Sequence, residues 1–199
     1  MTETTPPIDP RHAILLVMDY QVGIVQQLPD AAALLARTRA AIELARSHGV
    51  AIGYVRVAFT EADYRAVPAT NKAFAALAAG HRMDDAAPET AIHATVAPEP
   101  GDIIVRKTRV GAFSTTDLPA QLRARQIDTL LLAGISTSGV VLSTVRWASD
   151  LDYQLLVVGD ACADFDDEVH RVLMEKVFPG QATVLTTEAF LQALEAKAK

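Results

Sequence analysis

Asp19 directly follows the apolar run Ala13-Ile-Leu-Leu-Val-Met18, and Lys107 directly follows Asp102–Arg106. Both runs read as strands, so each charged side chain falls at a strand's carboxyl end. In open parallel sheets ligands bind beyond those ends. A carboxylate and an ammonium at neighbouring strand ends would share one crevice. There the ammonium lowers the carboxyl pKa while burial raises it, and opposed effects of this kind tune an acid or a base. A structural ion pair, or a helix cap for Asp19, accounts for the same two residues without chemistry.

A second candidate is the turn Gly134-Ile-Ser-Thr-Ser-Gly-Val-Val141. It joins an apolar run to a helical pattern through small and hydroxylated residues. Backbone N–H groups there would face the crevice and suit an anion or oxyanion. An ordinary cap, with Ser136, Thr137 or Ser138 satisfying free N–H groups, explains the turn equally. A serine nucleophile is not expected, because no histidine base accompanies Ser136, Thr137, Ser138 or Ser143 in a recognisable pattern.

The elements that would position these residues alternate along the chain. Strands are expected at 13–18, 50–57, 102–106, 129–133, 154–158 and 182–185. Helices are expected at 30–48, 70–79, 118–125, 138–149, 166–177 and 187–198. Such alternation implies βαβ units with right-handed crossovers. The expected fold is α/β, a three-layer α/β/α sandwich with a six-stranded, mainly parallel sheet. Residues 1–11, rich in Thr and Pro, read as a flexible lead-in to one domain spanning 12–199. The segment 80–101 is the longest irregular stretch, and suits a lid or an oligomer contact.

The remaining composition narrows the function. The 199 residues are 50% hydrophobic and carry a formal net charge of -6. That acidity gives no electrostatic reason to expect nucleic acid. No apolar run approaches the roughly 20 residues of a membrane span, and the N-terminus lacks the pattern of a signal peptide. The single cysteine, Cys162, cannot form an internal disulfide, so a cytoplasmic protein is expected. The five histidines are scattered without ligand spacing, so no metal is expected. No phosphate-cradling glycine motif is present, so no nucleotide cofactor is expected either. The partner these features leave is a small molecule.

Three segments together resemble the isochorismatase-like hydrolases, the cysteine hydrolase superfamily. They are Leu15-Leu-Val-Met-Asp-Tyr-Gln21, the stretch Ile104–Leu118, and Leu131–Thr144 with its turn; Val157–Asp164 is also similar. The resemblance covers roughly residues 12–190. It implies a triad of Asp, Lys and Cys, matched here by Asp19 and Lys107. The family's nucleophile position, six residues after the turn glycine, is Val140, which has no nucleophilic atom. The Asp-x-His of the metal-binding members is also missing from Tyr54–Thr60. Members resembling true isochorismatases lack the cysteine too, and cleave a vinyl ether without a covalent intermediate. The resemblance therefore implies hydrolysis of a small carboxylated molecule, with Asp19 as general acid and Lys107 and Arg109 holding a carboxylate. Gln21, Phe59, Phe113, Ser136, Thr137 and Gly139 are the expected substrate contacts, although Phe59 and Phe113, like Trp147, equally suit a core. A homodimer or homotetramer is implied as well. Amidase chemistry without cysteine, and an inactive binding or scaffold homologue, are the alternatives. Cys162 is expected to be a buried structural residue.

Overall fold

A computed structural model describes residues 6–195 of the chain. Six strands form one fully parallel sheet: β1 (Ala13–Met18), β2 (Ala51–Val57), β3 (Ile103–Lys107), β4 (Thr129–Ile135), β5 (Gln154–Ala163) and β6 (Thr183–Leu185), in the order β3-β2-β1-β4-β5-β6. The central strand β1 is apolar and buried along its whole length, as a strand covered on both faces must be.

Alternate residues of each strand serve opposite faces, because the side-chain period of a strand is two. Leu15, Val17, Leu131, Ala133, Leu156 and Val158 face one core, which packs under α2 (Ala31–Ser47) and α8 (Thr187–Glu195). Ile14, Leu16, Met18, Leu130, Leu132 and Val157 face the other. Leu118 and Leu122 of α5 (Leu118–Ala124) and Val145 and Ala148 of α6 (Leu142–Ser149) fill that second core. The result is the three-layer sandwich expected from the alternation.

A third, smaller cluster lies off the end of β2. Val57, Phe59, Tyr64, Phe74 and Ala78 pack together under two short helices, α3 (Glu61–Arg65) and α4 (Ala75–Ala79). Phe59 stacks on Tyr64 with centroids 5.5 Å apart and meets Phe74 at 5.9 Å. A capping box between Thr60 and Asp63 starts α3, and Arg106 Nη1 anchors it by donating to Asp63 Oδ2 (2.6 Å) and Ala58 O (2.9 Å). Burial alone would raise the Asp63 pKa. The Thr60 hydrogen bonds and the Arg106 charge outweigh it, and the net shift is downward.

Two short helices add to the expectation: α1 (Val22–Val25) and α3 occupy stretches for which no element is expected from sequence, and α4 is shorter than the pattern at 70–79. Strand β5 runs five residues past 158, because after a register shift Cys162 pairs with Gly134 and Ala163 with Ile135. The helix pattern at 138–149 opens with a wide π-type turn, Thr137–Val141, before α6. The pattern at 166–177 is α7 (Asp167–Val172) followed by a similar turn. Of the expected lead-in, residues 1–5 lie outside the described residues, as do 196–198 of the last expected helix. Ile8 is fully buried, and Asp9 caps a short turn by accepting from Arg11 N. The irregular 80–101 segment is tied to the sheet end by isolated bridges, Gln21 with Ile92 and Phe59 with Asp84.

Candidate active site

The chain leaves β1 at Asp19 and reverses its direction of winding between β1 and β4. That reversal opens a crevice at the carboxyl ends of the two strands. Asp19 adopts a left-handed conformation (φ 61), which turns its side chain sharply out of the strand path while its N–H stays bonded to Val55 O (2.8 Å). Asparagine and aspartate tolerate this region better than most residues.

Asp19 and Lys107 meet. Lys107 Nζ lies 2.7 Å from Asp19 Oδ2 and donates a second bond to Val110 O at 2.6 Å. The two strands are not neighbours, however: β2 separates them. Lys107 sits beside Val57 in register, one residue beyond Arg56, and its long side chain spans the end of β2 to reach the carboxylate. Both groups are almost fully buried. Burial raises the Asp19 pKa, and the charge and hydrogen bond of Lys107 pull against it; burial prevails. Asp19 Oδ1 has no hydrogen-bond partner among the described residues.

This pair lies at the floor of a cavity of about 270 Å³. The turn after β4 supplies one wall, through Ile135, Ser136, Gly139 and Val140. Ser136 caps the turn by accepting from Gly139 N (3.1 Å), and a Cβ at Gly139 would come within 2.6 Å of Ser136 Oγ. Glycine is therefore required for the turn to close this tightly. Val140 presents a buried, branched apolar surface. The opposite walls are apolar: Ile24, Val57, Phe74, Leu77, Met83 and Val110. Phe165, 56% exposed, stands at the rim. A larger hollow, about 560 Å³, lies between α3 and α4, but alanines line much of it and Asp19 and Lys107 do not reach it.

Of the residues named from sequence, Asp19, Lys107, Ser136, Gly139 and Val140 share this cavity. The others are held elsewhere. The Gln21 amide is spent on backbone: it donates to Val57 O and Thr90 O and accepts from Val57 N, each at 2.8 Å. It clamps β2 to the 80–101 segment. Phe59 and Phe113 are core residues of two different clusters. Thr137 is buried, with its hydroxyl 2.8 Å from His170 Nδ1. Burial lowers the His170 pKa, against the pull of Asp164 and Asp167. Arg109 lines an adjoining groove, with its guanidinium carbon 5.9 Å from the Phe74 ring centroid and Nη1 donating to Thr108 O. Ile24, Gln27, Leu77, Met83 and Phe165 line the cavity unannounced by sequence. Only Phe165, an aromatic just past a strand end, carried a usable signal.

Cys162 lies on the far side of the sheet switch, buried, with Sγ 3.7 Å from Leu132 O. Burial pushes its thiol up to about 12. Among the described residues no group of three or more His, Cys, Asp or Glu side chains is placed to hold a metal ion. Among the same residues no helix is long and apolar enough to cross a membrane.

A buried carboxyl paired with lysine lies at the switch point of the β3-β2-β1-β4-β5-β6 sheet, beside a tight strand-to-helix turn. The isochorismatase domain model matches residues 13–189. The chain belongs to the isochorismatase family of hydrolases. It is 33% identical over 188 residues to the isochorismatase family protein YwoC of Bacillus subtilis (strain 168), covering 94% of this chain and 97% of that protein. It is 32% identical over 187 residues to a probable isochorismatase of Pseudomonas chlororaphis, covering 91% of this chain and 86% of the other. A solved cysteine hydrolase from Pseudomonas syringae pv. phaseolicola 1448A shares the fold with a TM-score of 0.87 at 22% identity, over 98% of this chain and 99% of that one.

Proposed function

We propose that the chain hydrolyses an enol ether on a small carboxylated molecule, with Asp19 as the proton donor and no covalent intermediate. The observation that carries this reading is the Asp19 carboxyl. It is buried, its pKa is raised, one oxygen is held by Lys107 and the other is unpartnered among the described residues, and the residue lines the cavity. A general acid must hold its proton near working pH, and the raised pKa favours that state. The 32% likeness to a probable isochorismatase supports the substrate class.

The steps balance with one water. Asp19 delivers its proton to the terminal enol carbon, whose π electrons form the new C–H bond. The charge left behind is shared by the adjacent carbon and the ether oxygen. Water adds to that carbon and returns a proton to the Asp19 carboxylate. The C–O bond of the resulting hemiketal then breaks, its hydroxyl proton passes to the departing oxygen, and a carbonyl product and an alcohol are left. Lys107 uses two of its three N–H bonds on Asp19 and Val110 O, and keeps the third for the substrate's carboxylate. Val140 contributes no nucleophile. Its branched surface and the apolar walls keep bulk water from the charged intermediate.

Isochorismate is the first substrate to assay. Turnover should fall as pH rises through the raised Asp19 pKa, and intact-protein mass spectrometry during turnover should find no adduct. An acyl adduct on Cys162, or activity that persists in Asp19→Asn, would overturn the reading.

A further inference from the structure

The Thr137–Val141 turn walls the Asp19 cavity through Gly139 and Val140, with Ser136 as its cap. It is a wide, π-type turn, a rare geometry that is frequent at functional sites. Two bonds hold it from outside, and both come from the segment that follows β5. Asp164 Oδ2 accepts from Ser138 N at 2.6 Å, while its other oxygen accepts from Phe165 N at 2.9 Å. The Ser138 N–H, expected from sequence to be open to an anion, is thus taken by the chain's own carboxylate. One residue earlier, the Thr137 hydroxyl lies 2.8 Å from His170 Nδ1, 33 positions away on α7. Thr137 is fully buried, and its hydroxyl has no other hydrogen-bond partner among the described residues. A buried hydroxyl proton without an acceptor is costly. The hydroxyl therefore donates to Nδ1, and the ring is neutral with its own proton on Nε2. A hydroxyl beside an imidazole is also how a nucleophile is activated, but Thr137 does not line the cavity.

We propose that His170 is a positioning residue for the site: its neutral ring accepts from Thr137 and so holds the turn, with Gly139 and Val140, in place against Asp19. Protonation puts a hydrogen on Nδ1, where the hydroxyl proton now points. The hydroxyl must turn over to accept, and its own proton is then buried without a partner. The charges around the ring set the direction. Asp164, just past β5, and Asp167, in the first turn of α7, favour the protonated ring, and burial outweighs them. The two wide turns pack most closely on α7. Thr137–Val141 carries no titratable side chain, and Leu173–Val177 carries Glu175 and Lys176. On α7 itself, Asp166 caps the helix by accepting from Glu168 N and Val169 N, and Arg171 is paired with Glu175 at 2.9 Å. The latch therefore holds at neutral pH and opens in acid. Asp19 as general acid produces only an alkaline decline in rate; His170 adds an acid one. That effect on turnover rests on the proposed hydrolysis, whereas the effect on the turn does not.

Amide hydrogen exchange, followed by NMR on the whole protein, reads the turn without turnover. The Gly139 and Val141 amides bond back to Ser136 O, and their protection should fall as pH falls through the His170 pKa. His170→Ala should lower that protection roughly 3- to 10-fold at neutral pH, the equivalent of one lost hydrogen bond. His170→Asn sets an amide oxygen where Nδ1 stood and does not titrate, so it should restore the protection and remove its pH dependence. Thr137→Val keeps the shape without the hydroxyl. It should match His170→Ala, and the double variant should lose no more than either single one. With isochorismate as the assayed substrate, kcat should follow the same order while KM stays within about twofold. The acid decline in kcat should be absent from His170→Asn. Unchanged protection in His170→Ala, equal losses in both His170 variants, additive losses in the double variant, or an acid decline that survives in His170→Asn would each overturn the proposal. If isochorismate is not turned over, the exchange measurements alone decide it.

Discussion

Three buried polar groups sit near the carboxyl ends of the sheet, and one of them has a different fate from the other two. On one side of the switch point, Asp19 is paired on a single oxygen and opens on a cavity. On the other side, Tyr20 and Cys162 are sealed. Tyr20 donates to Ala161 O at 2.6 Å and accepts from Thr38 Oγ1 at 2.7 Å, and Cys162 leans on Leu132 O. Burial raises the pKa of all three groups. A perturbed pKa therefore does not distinguish the site from the packing. What distinguishes it is an unmet acceptor on a residue that lines a cavity. The sealed group satisfies its backbone and fixes the β5 extension; the open group is left with something to do.

The hardest blow to this contrast is Asp19→Asn. Amide for acid keeps the shape and removes the proton, so kcat should fall about 10²- to 10⁴-fold, the usual worth of a positioned general acid. Circular dichroism should show the fold intact. A variant that keeps most of its activity would erase the distinction between the two buried regions.

Lys107→Met sharpens the same contrast through pH. In the native protein the Lys107 charge opposes the rise that burial imposes on Asp19. Without it the Asp19 pKa climbs further, so the alkaline limb of the pH–rate profile should move to higher pH. Stability follows with a definite sign. A carboxyl whose folded pKa is raised binds its proton more tightly when folded. Its contribution is complete below the ordinary aspartate range and is lost as pH rises through the raised value. In Lys107→Met that loss should extend to higher pH than in the parent, at up to about 1.4 kcal/mol per pH unit. Denaturant melts between pH 5 and 9 measure it, and a flat profile would mean that the lysine does not set the Asp19 proton.

Gly139→Ala tests the wall. The new Cβ would displace Ser136 Oγ, which caps the turn through Gly139 N. Losing a cap of this kind costs about 1 kcal/mol. The turn should loosen, with a several-fold loss in kcat and a small fall in melting temperature. Unchanged kinetics would show that the turn only closes the fold.

The sheet was legible because its strands are buried on both faces, which writes them as unbroken apolar runs such as Ala13–Met18. Asp19, Lys107 and the Ser136–Val140 turn were legible for the same reason, since they stand at the ends of those runs. The far walls were not. Leu77 and Met83 belong to the 61–85 segment, whose short helices are held by Phe59, Tyr64 and Phe74 and by the Arg106–Asp63 pair, contacts distant in sequence. Gln21 shows the reverse error of reading: it stands one residue past Tyr20 at the right strand end, yet its amide is consumed by Val57 and Thr90. Position at a strand end reports which side chains could enter a crevice. Which of them the backbone claims first depends on loops whose path no local pattern encodes. The β5 extension escaped notice because Gly159 and Asp160 look like a turn, while the strand continues by pairing with the end of β4.

The smallest effect belongs to Cys162, and its smallness is the claim. The thiol is buried, about 12 in pKa, and lies outside the Asp19 cavity. A thiol at that pKa is almost wholly protonated at pH 8, so it is a poor nucleophile. Cys162→Ala should leave kcat within a few-fold of the parent and cost about 1 kcal/mol of stability, the scale of a small cavity left by one sulfur atom. Iodoacetamide at pH 8 should label the native chain far more slowly than the unfolded chain, and substrate should not change that rate. The comparison needs both measurements. Loss of activity with an intact fold would place the thiol in the reaction. Protection from iodoacetamide by substrate would place it in the cavity. Either result would move the chemistry across the switch point, from the open aspartate to the sealed cysteine. Unchanged turnover together with slow, substrate-independent labelling leaves Cys162 as what its surroundings make it, a packing residue that closes the β4–β5 seam.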